Sequence, residues 1–272
     1  MIVTKEDIRE VLKELDLDKK LACIHSSLKS FGYVKGGPKS IVDAFLERNY
    51  TIIVPTFSYD FEIPMFDKKN IPQQNGLSSY ENHNPIEIIN RYYSPSSNEI
   101  HYSMGLIPKY ILSIPNRKRG NHPLNSFSAV GKKAKHYIKN QKPKNVYAPL
   151  IELYKNDGYL FLMGVDLTKA TIIHYTENLT GRNLFIRWAN DSEFKPISVN
   201  IGGCSDGFNN FNPYIKGIER KIMIGDSIWR IFHLKSFVKI IVDVIKSNPE
   251  ITHCDNQDCI RCNDAIKGGP II

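Results

Sequence analysis

Two short apolar runs, Leu21-Ala22-Cys23-Ile24 and Thr51-Ile52-Ile53-Val54-Pro55, each end in small hydroxyl residues, and one amphipathic helical pattern joins them. The first passes into His25-Ser26-Ser27-Leu28-Lys29-Ser30-Phe31-Gly32-Tyr33-Val34-Lys35-Gly36-Gly37, the second into Thr56-Phe57-Ser58. Ile41, Val42, Ala44, Phe45 and Leu46 mark the helix between them. A buried strand, a glycine-bearing loop and a helix in that order turn backbone N–H groups and a helix N-terminus toward an anion. In open α/β sheets ligands bind at the carboxyl ends of the strands, where both hydroxyl clusters fall. Glycines in connections are also plain turn residues, so Gly36 and Gly37 read either way.

The same alternation continues. Thr4 with Asp7 three residues later opens a helix through Ile8, Val11, Leu12 and Leu15. Helical patterns recur at Leu106 to Leu112 and Pro149 to Asn156, and strand patterns at Ser126 to Val130 and Tyr159 to Val165. After Arg182 strands dominate, Leu184 to Trp188 and Phe194 to Ile201, before a long helix through Phe237, Ile240, Ile241, Val244 and Ile245. The expectation is a layered α/β/α sandwich around a central mixed sheet, with a strand-rich C-terminal part, in a single domain over 1–272. The stretch 60–98 is rich in Asn, Pro, Ser and Tyr without periodicity, and reads as a lid or acceptor-binding insertion. No run approaches the roughly 18 uncharged apolar residues of a membrane span. The N-terminus carries no secretory pattern, so a cytoplasmic location is expected.

Thirty-six Lys and Arg against 28 Asp and Glu give a formal charge of +8. The excess concentrates between Pro115 and Pro149, where Arg117, Lys118, Arg119, Lys132, Lys133, Lys135, Lys139, Lys142 and Lys144 face no acidic residue in the sequence. Such a run is either a solvated face or a surface that concentrates phosphate-bearing partners. Nucleic acid is disfavoured, since the run lacks interleaved aromatics and no helix-turn-helix, RNA-recognition or zinc-finger spacing is present.

The segment after the strand at Tyr159 carries the chemistry. In Thr168-Lys169-Ala170-Thr171-Ile172-Ile173-His174-Tyr175-Thr176-Glu177, helical spacing puts Thr171, His174 and Glu177 on one face. An imidazole accepts a proton near neutral pH, and a neighbouring carboxylate holds the ring and stabilises its charged form. A His three residues before a Glu is nevertheless common on ordinary helices. Zinc binding through His174 lacks the second His at i+4.

Four ordered segments between Leu21 and Gly181 together resemble the aminoglycoside 3-N-acetyltransferases. They are His25-Ser26-Ser27-Leu28 through Gly36-Gly37, Pro55-Thr56-Phe57-Ser58, Asn121-His122-Pro123-Leu124-Asn125-Ser126-Phe127-Ser128-Ala129-Val130-Gly131, and Gly164-Val165 through Thr171, His174 and Glu177. The resemblance implies an acyl-coenzyme A donor, a ternary complex and direct attack of an amine on the thioester. It makes His174 the general base, oriented by Glu177, and sets Thr56 near the thioester. It gives Ser26, Ser27, Leu28, Gly36 and Gly37 to the pantetheine and phosphates. Met104, with Ser103 and Gly105, and the segment holding His122, Ser126 and Phe127 would complete the coenzyme A and acyl pocket. Without the resemblance, His122 is a turn residue ahead of Pro123. An amine of depressed pKa would need no base, and His174 would then position the acceptor or pass the proton to the thiolate.

Five cysteines are present. Cys23 lies in an apolar strand and reads as core. Cys254, Cys259 and Cys262 crowd into nine residues and read as metal ligands before disulfides in a reducing compartment. Structural zinc takes four ligands, and Cys204 in Gly202-Gly203-Cys204-Ser205-Asp206-Gly207 is the best fourth, with His253 second. Zinc would pin the tail 250–272 to the body; unligated thiols, a disulfide or an iron–sulfur site are the alternatives.

An aminoglycoside is a polycation and asks for an acidic pocket, which Asp60, Glu62, Asp67, Glu81 and Glu87 of the insertion could supply. The net charge and the acid-free basic run favour an anionic acceptor instead. The resemblance extends to acylation of amino sugars on nucleoside diphosphates, as in the anthrose-type pathway, with acetyl or hydroxybutyryl as the group transferred. A dTDP- or UDP-linked amino sugar is therefore the first expectation for the acceptor, and an aminoglycoside, with antibiotic resistance as the outcome, the second. A zinc-stabilised basic nucleic-acid-binding protein is the alternative of another class. Oligomeric state is open.

Overall fold

In the computed structural model, residues 2–67, 69–81, 83 and 91–272 are described. The chain forms, in order, β1 (Ile2–Val3), α1 (Lys5–Glu14), β2 (Leu21–Ser26), β3 (Tyr33–Val34), α2 (Gly37–Glu47), β4 (Thr51–Pro55) and β5 (Glu62–Ile63). Next come α3 (Leu106–Ser113), β6 (Lys118–Arg119), β7 (Phe127–Val130), α4 (Ala134–Ile138), α5 (Ala148–Lys155), β8 (Tyr159–Met163) and α6 (Ile172–Leu179). The remainder is β9 (Phe185–Asn190), β10 (Pro196–Ile201), α7 (Asn212–Ile215), β11 (Arg220–Ile224), β12 (Ser227–His233), α8 (Leu234–Ser247) and α9 (Ile260–Ile266). Thr4 caps α1 in the reciprocal box with Asp7 that its sequence announces.

Seven strands make the central sheet in the order β11-β12-β8-β2-β4-β7-β6. β2 pairs in parallel with β4 and with β8, and the outer pairs are antiparallel, so the sheet is mixed. Side chains alternate across a strand. Ala22, Ile24, Ile52, Val54, Phe161, Met163, Trp229 and Ile231 therefore face a layer made by α1, α2 and α3. Cys23, Ile53, Leu160, Leu162 and Phe232 face the layer made by α4, α5, α6 and α8. This is the expected α/β/α sandwich. A second, antiparallel sheet of β10, β9 and β5 contributes the strand-rich part, and Phe61, Tyr93, Leu124, Ala189 and Val199 pack as its own small core.

The hairpin of β11 and β12 was not expected. Its register closes at Ile224 and Ser227 around Gly225-Asp226, and β12 lies against β8 inside the main sheet. Its sequence signal is the two-residue turn Gly225-Asp226 between two apolar-rich segments, and Gly225 takes the positive φ that such a turn needs.

The insertion 60–98 is held from several sides where it is described. Asn75 Nδ2 donates to the Ile186 carbonyl, and Ile186 N–H donates back to Asn75 Oδ1. Gln73 pairs with Ile271, and the Gly76 N–H donates to Asp264. Glu87 lies outside the described residues. The basic run divides in two. Arg119 is buried and donates to the carbonyls of Thr56, Ser97 and Glu99 and to the Ser126 hydroxyl, while Arg117 binds the carbonyls of Ser96 and Ser97. Both arginines hold the chain together rather than offering a free cationic surface. The lysines on and beside α4 are exposed. Among the described residues, no helix is long and apolar enough to cross a membrane.

The packing yields two expectations. Phe45 is fully buried among Tyr50, Phe161 and Trp229, with ring centroids 5.2, 5.5 and 5.9 Å away. Phe45→Ala should lower the unfolding free energy by about 3–5 kcal/mol in chemical denaturation. Burial, with a smaller push from Lys169, depresses the pKa of His25 to about 3, and burial holds His122 at about 4. An unfolded histidine protonates near 6.5, so the unfolded chain takes up protons that the fold refuses. Stability therefore drops as pH falls from about 6.5 toward 4, by up to about 1.4 kcal/mol per pH unit for each histidine. His25→Gln should flatten that slope in denaturation profiles; an unchanged slope would contradict the assignment.

Candidate active site

β8, β2 and β4 run parallel side by side, so their carboxyl ends open together. Over them lies a cleft of about 770 Å³. Its floor is His25, Ser26, Ser27 and Leu28 at the end of β2, Pro55 and Phe57 at the end of β4, and Val165 after β8. The start of α3, with Met104 and Gly105 before it, forms one wall. Thr171 just before α6 and His174 within it, the loop Gly202 to Asp206, and Tyr59, Glu62, His83, Arg187 and Arg261 enclose the rest. This is the strand-end location that the two hydroxyl clusters pointed to.

His174 and Glu177 are both about 7 % exposed and directly bonded, Nδ1 to Oε2 at 2.8 Å. The carboxylate accepts a hydrogen bond from Nδ1–H, which leaves Nε2 as the nitrogen able to act on the cleft. The other carboxylate oxygen, Oε1, accepts from Arg182 Nη1 at 2.8 Å. The imidazole is packed between Phe208, 4.8 Å away between centroids, and Tyr147, whose ring lies 13° from parallel. Gly202 closes over the ring: a Cβ there would stand 2.5 Å from His174 Cδ2 and 2.5 Å from the Tyr147 hydroxyl. Only a residue without a side chain fits that approach.

The other expected site residues divide between wall and support. Ser26, Ser27, Leu28 and Met104 line the cleft. Thr56 does not; it is fully buried, donating its hydroxyl to the Ser126 carbonyl at 3.1 Å and sharing a hydrogen bond with Ser128 Oγ at 2.9 Å. Its neighbours Pro55 and Phe57 take the wall instead. Gly36 and Gly37 also stand away from the cleft lining, at the start of α2, where φ values of 82° and 60° require residues free of Cβ strain. They form the turn into α2.

His122 is a turn residue as well. Its Nδ1 accepts from the N–H groups of Leu124 and Asn125, and its Nε2 donates to the Asn200 carbonyl at 2.9 Å. Ser126 and Phe127 are buried behind the wall, while Asn125 beside them lines it. Buried Gln141 fixes this region, donating from Nε2 to the carbonyls of Asn125 and Val146 and accepting from the Phe127 N–H. Gln141 thus sets the backbone that carries both Asn125 and Tyr147. Within Asn121 to Gly131, Asn125 lines the cleft and His122, Ser126 and Phe127 lie buried behind it.

The cleft carries mixed charge. Lys29, Lys169, Arg187 and Arg261 line it together with Glu62 and Asp206. Glu62 is engaged, 2.7 Å from His83 Nε2 and 3.5 Å from Arg187 Nε. Arg187 is 2 % exposed, and burial lowers its pKa to about 10, so it stays cationic near neutrality. No cation of the run between Pro115 and Pro149 lines the cleft, so that run supplies no reason to prefer an anionic acceptor. Long-range contacts brought Arg187, Arg261, Tyr147 and Gly202 to the site, and no local sequence pattern singled them out.

Beside the cleft, the sulfur atoms of Cys204, Cys254, Cys259 and Cys262 lie within 4.8 Å of one another. Cys254 and Cys262 are 3.7 Å apart, too far for a disulfide and close to the roughly 3.8 Å edge of a tetrahedron with 2.3 Å zinc–sulfur bonds. His253 is occupied elsewhere, Nδ1 with the Cys254 carbonyl and Nε2 with Asn263 Oδ1. Cys204 itself lines the cleft.

Comparison with known proteins accords with this arrangement. The chain is 33 % identical over 183 residues to an SPbeta prophage-derived aminoglycoside N(3')-acetyltransferase-like protein, YokD, of Bacillus subtilis, covering 64 % of each sequence. It is 28 % identical over 186 residues to aminoglycoside N(3)-acetyltransferase IX of Micromonospora chalcea, covering 65 % of this chain and 62 % of that one. The chain thus spans a little under two thirds of these relatives' length. In three dimensions it superposes on aminoglycoside acetyltransferase AAC(3)-IVa with a TM-score of 0.76 at 17 % identity, covering 98 % of both chains. The aminoglycoside 3-N-acetyltransferase family model matches residues 23–246. A match over most of the sequence, on top of a shared fold, makes this chain a member of the aminoglycoside 3-N-acetyltransferase family.

Proposed function

We propose that the protein transfers an acetyl group from acetyl-coenzyme A to an amine of an aminoglycoside. The observation that carries the reading is the buried His174–Glu177 pair at the cleft over β8, β2 and β4. The amine nitrogen attacks the thioester carbon, the C–N bond forms, and the C–S bond breaks with the electron pair leaving on sulfur. His174 Nε2 takes the ammonium proton released on attack and delivers it to the thiolate, while Glu177 stabilises the imidazolium between the two events. The Ser26 and Ser27 hydroxyls, at the end of β2, are candidates for holding the thioester and its oxyanion. Related solved proteins support both substrates: one is a binary complex with CoASH, and others hold a gentamicin, apramycin or sisomicin.

A second acceptor, a nucleotide-linked amino sugar, is favoured by one feature. Lys29, Lys169 and Arg261 line the cleft while its Glu62 is already engaged by His83 and Arg187. Thiol release from acetyl-coenzyme A, run against sisomicin, gentamicin, apramycin and dTDP- and UDP-amino sugars, discriminates between them. His174→Gln should lower kcat by about 10²- to 10⁴-fold with the accepted amine; unchanged turnover would overturn the role of His174, and inertness toward every amine would overturn the function. We assign the protein to the cytoplasm, where acetyl-coenzyme A is available and thiols stay reduced.

We further propose that Cys204, Cys254, Cys259 and Cys262 hold a structural zinc ion. Four thiolates in a closed tetrahedral set leave no open position, so the ion would pin the tail rather than take part in the transfer. Metal analysis should return one zinc per chain, lost in Cys259→Ser together with several degrees of thermal stability. A metal-free wild-type protein would refute the site.

A further inference from the structure

The chain of hydrogen bonds behind His174 does not end at Glu177. Glu177 uses Oε2 for the imidazole and Oε1 for Arg182, so both oxygens of a nearly buried carboxylate are committed. Arg182 is itself 6 % exposed, and among the described residues the other hydrogen bonds of its guanidinium run to the start of the C-terminal tail. Nη1 donates to Thr252 Oγ1 at 2.8 Å, and Nη2 donates to the Pro249 carbonyl. Thr252 and Pro249 belong to the 3-10 turn Pro249–Thr252, which leads directly into His253 and Cys254. Ala265 of α9, the helix carrying Cys262, borders the same small void as Glu177 and Arg182.

That turn is also fixed to the loop that covers His174. A Cβ at Gly207 would meet the carbonyls of His253 and Thr252 at 2.3 and 2.4 Å, and Asn210 Nδ2 donates to the carbonyls of Ile251 and His253. The same loop begins at Gly202 over the imidazole and carries Cys204. Two routes therefore join the cysteine cluster to the imidazole. One runs through the carboxylate behind it, the other through the glycine in front of it.

We propose that Arg182 is a positioning residue, tying Glu177 to the cysteine-bearing tail so that the tail sets the orientation and tautomer of His174. This rests on the reading of His174 as the residue that handles the amine proton. A buried carboxylate that loses the cation fixing one of its oxygens is free to rotate, and the imidazole then no longer has a fixed acceptor for its Nδ1 proton. Arg182 supplies a rigid planar fork, which a lysine replaces only in charge.

The test is made on the full chain by ¹⁵N-histidine NMR, with activity and zinc content measured alongside. At a pH where the ring is uncharged, wild type should show His174 with its proton on Nδ1, and Arg182→Met should show a mixture of tautomers. With the amine accepted by wild type, Arg182→Met should lower kcat by about 10- to 100-fold at unchanged acetyl-coenzyme A KM and unchanged zinc content. Arg182→Lys should recover part of that loss, and Thr252→Val, which removes a single bond, should shift the tautomer ratio more mildly. Should Arg182→Met fail to fold, Thr252→Val and Arg182→Lys decide on the same spectra. An unaltered His174 spectrum in the folded variants, or a loss of kcat that only follows lost zinc, would overturn the proposal. The tautomer needs no acceptor, so a wild-type enzyme inert toward every amine would defeat the proposed function while the spectra still decided the role of Arg182.

Discussion

The burial of three parallel strands, β8, β2 and β4, on both faces is the constraint on which the rest of the structure depends. Parallel strands need crossover connections, and helices must cover both faces of such a sheet. That requirement places α1, α2 and α3 on one side and α4, α5, α6 and α8 on the other. It also leaves the strand ends as the place where loops from different parts of the chain meet. Ser26, Pro55 and Val165 come together there because their strands are neighbours, although they are far apart in the sequence.

The polar groups around that edge work mostly out of sight of the cleft. Arg119 binds three carbonyls, His122 holds the Asn125 turn, Thr56 is tied to Ser126 and Ser128, and Gln141 clasps the segments on either side of it. Buried polar groups of this kind are retained only when fully paired, and a paired network fixes backbone position closely. The residues that face the cleft can then be held without being rigid in themselves. The Glu177–Arg182 link extends the same logic to the tail, where four cysteines approach one another.

Much of the framework was legible in the sequence, because strand and helix periodicities record which face is buried. β4 begins and ends where its apolar run does, α1 carries its capping box, and α8 follows its apolar spacing. The β11–β12 hairpin is less legible because Met223 and Ile228 are apolar yet exposed, which blurs the alternation of its strands. At the site, the His174–Glu177 pair follows from one turn of helix, and Ser26, Ser27 and Leu28 follow directly from the end of a strand. Thr56, Ser126 and Phe127 stand in the same segments as wall residues but point inward. A shift of one residue along an extended chain reverses the side-chain direction, and sequence motifs do not encode the sheet face.

The sequence by itself determined the layered architecture, the hydroxyl-rich strand ends and the His174–Glu177 pair, because each depends on residues a few positions apart. Only the tertiary structure decided that Cys204 meets Cys254, Cys259 and Cys262, that Gly202 covers the imidazole, and that Arg182 joins Glu177 to Thr252. It also decided that Arg117 and Arg119 of the basic run are internal struts, while cationic residues from other segments line the cleft. The physical reason is the same in each case. Local periodicity dictates which way a segment faces, whereas close packing of the finished fold selects the distant groups it faces.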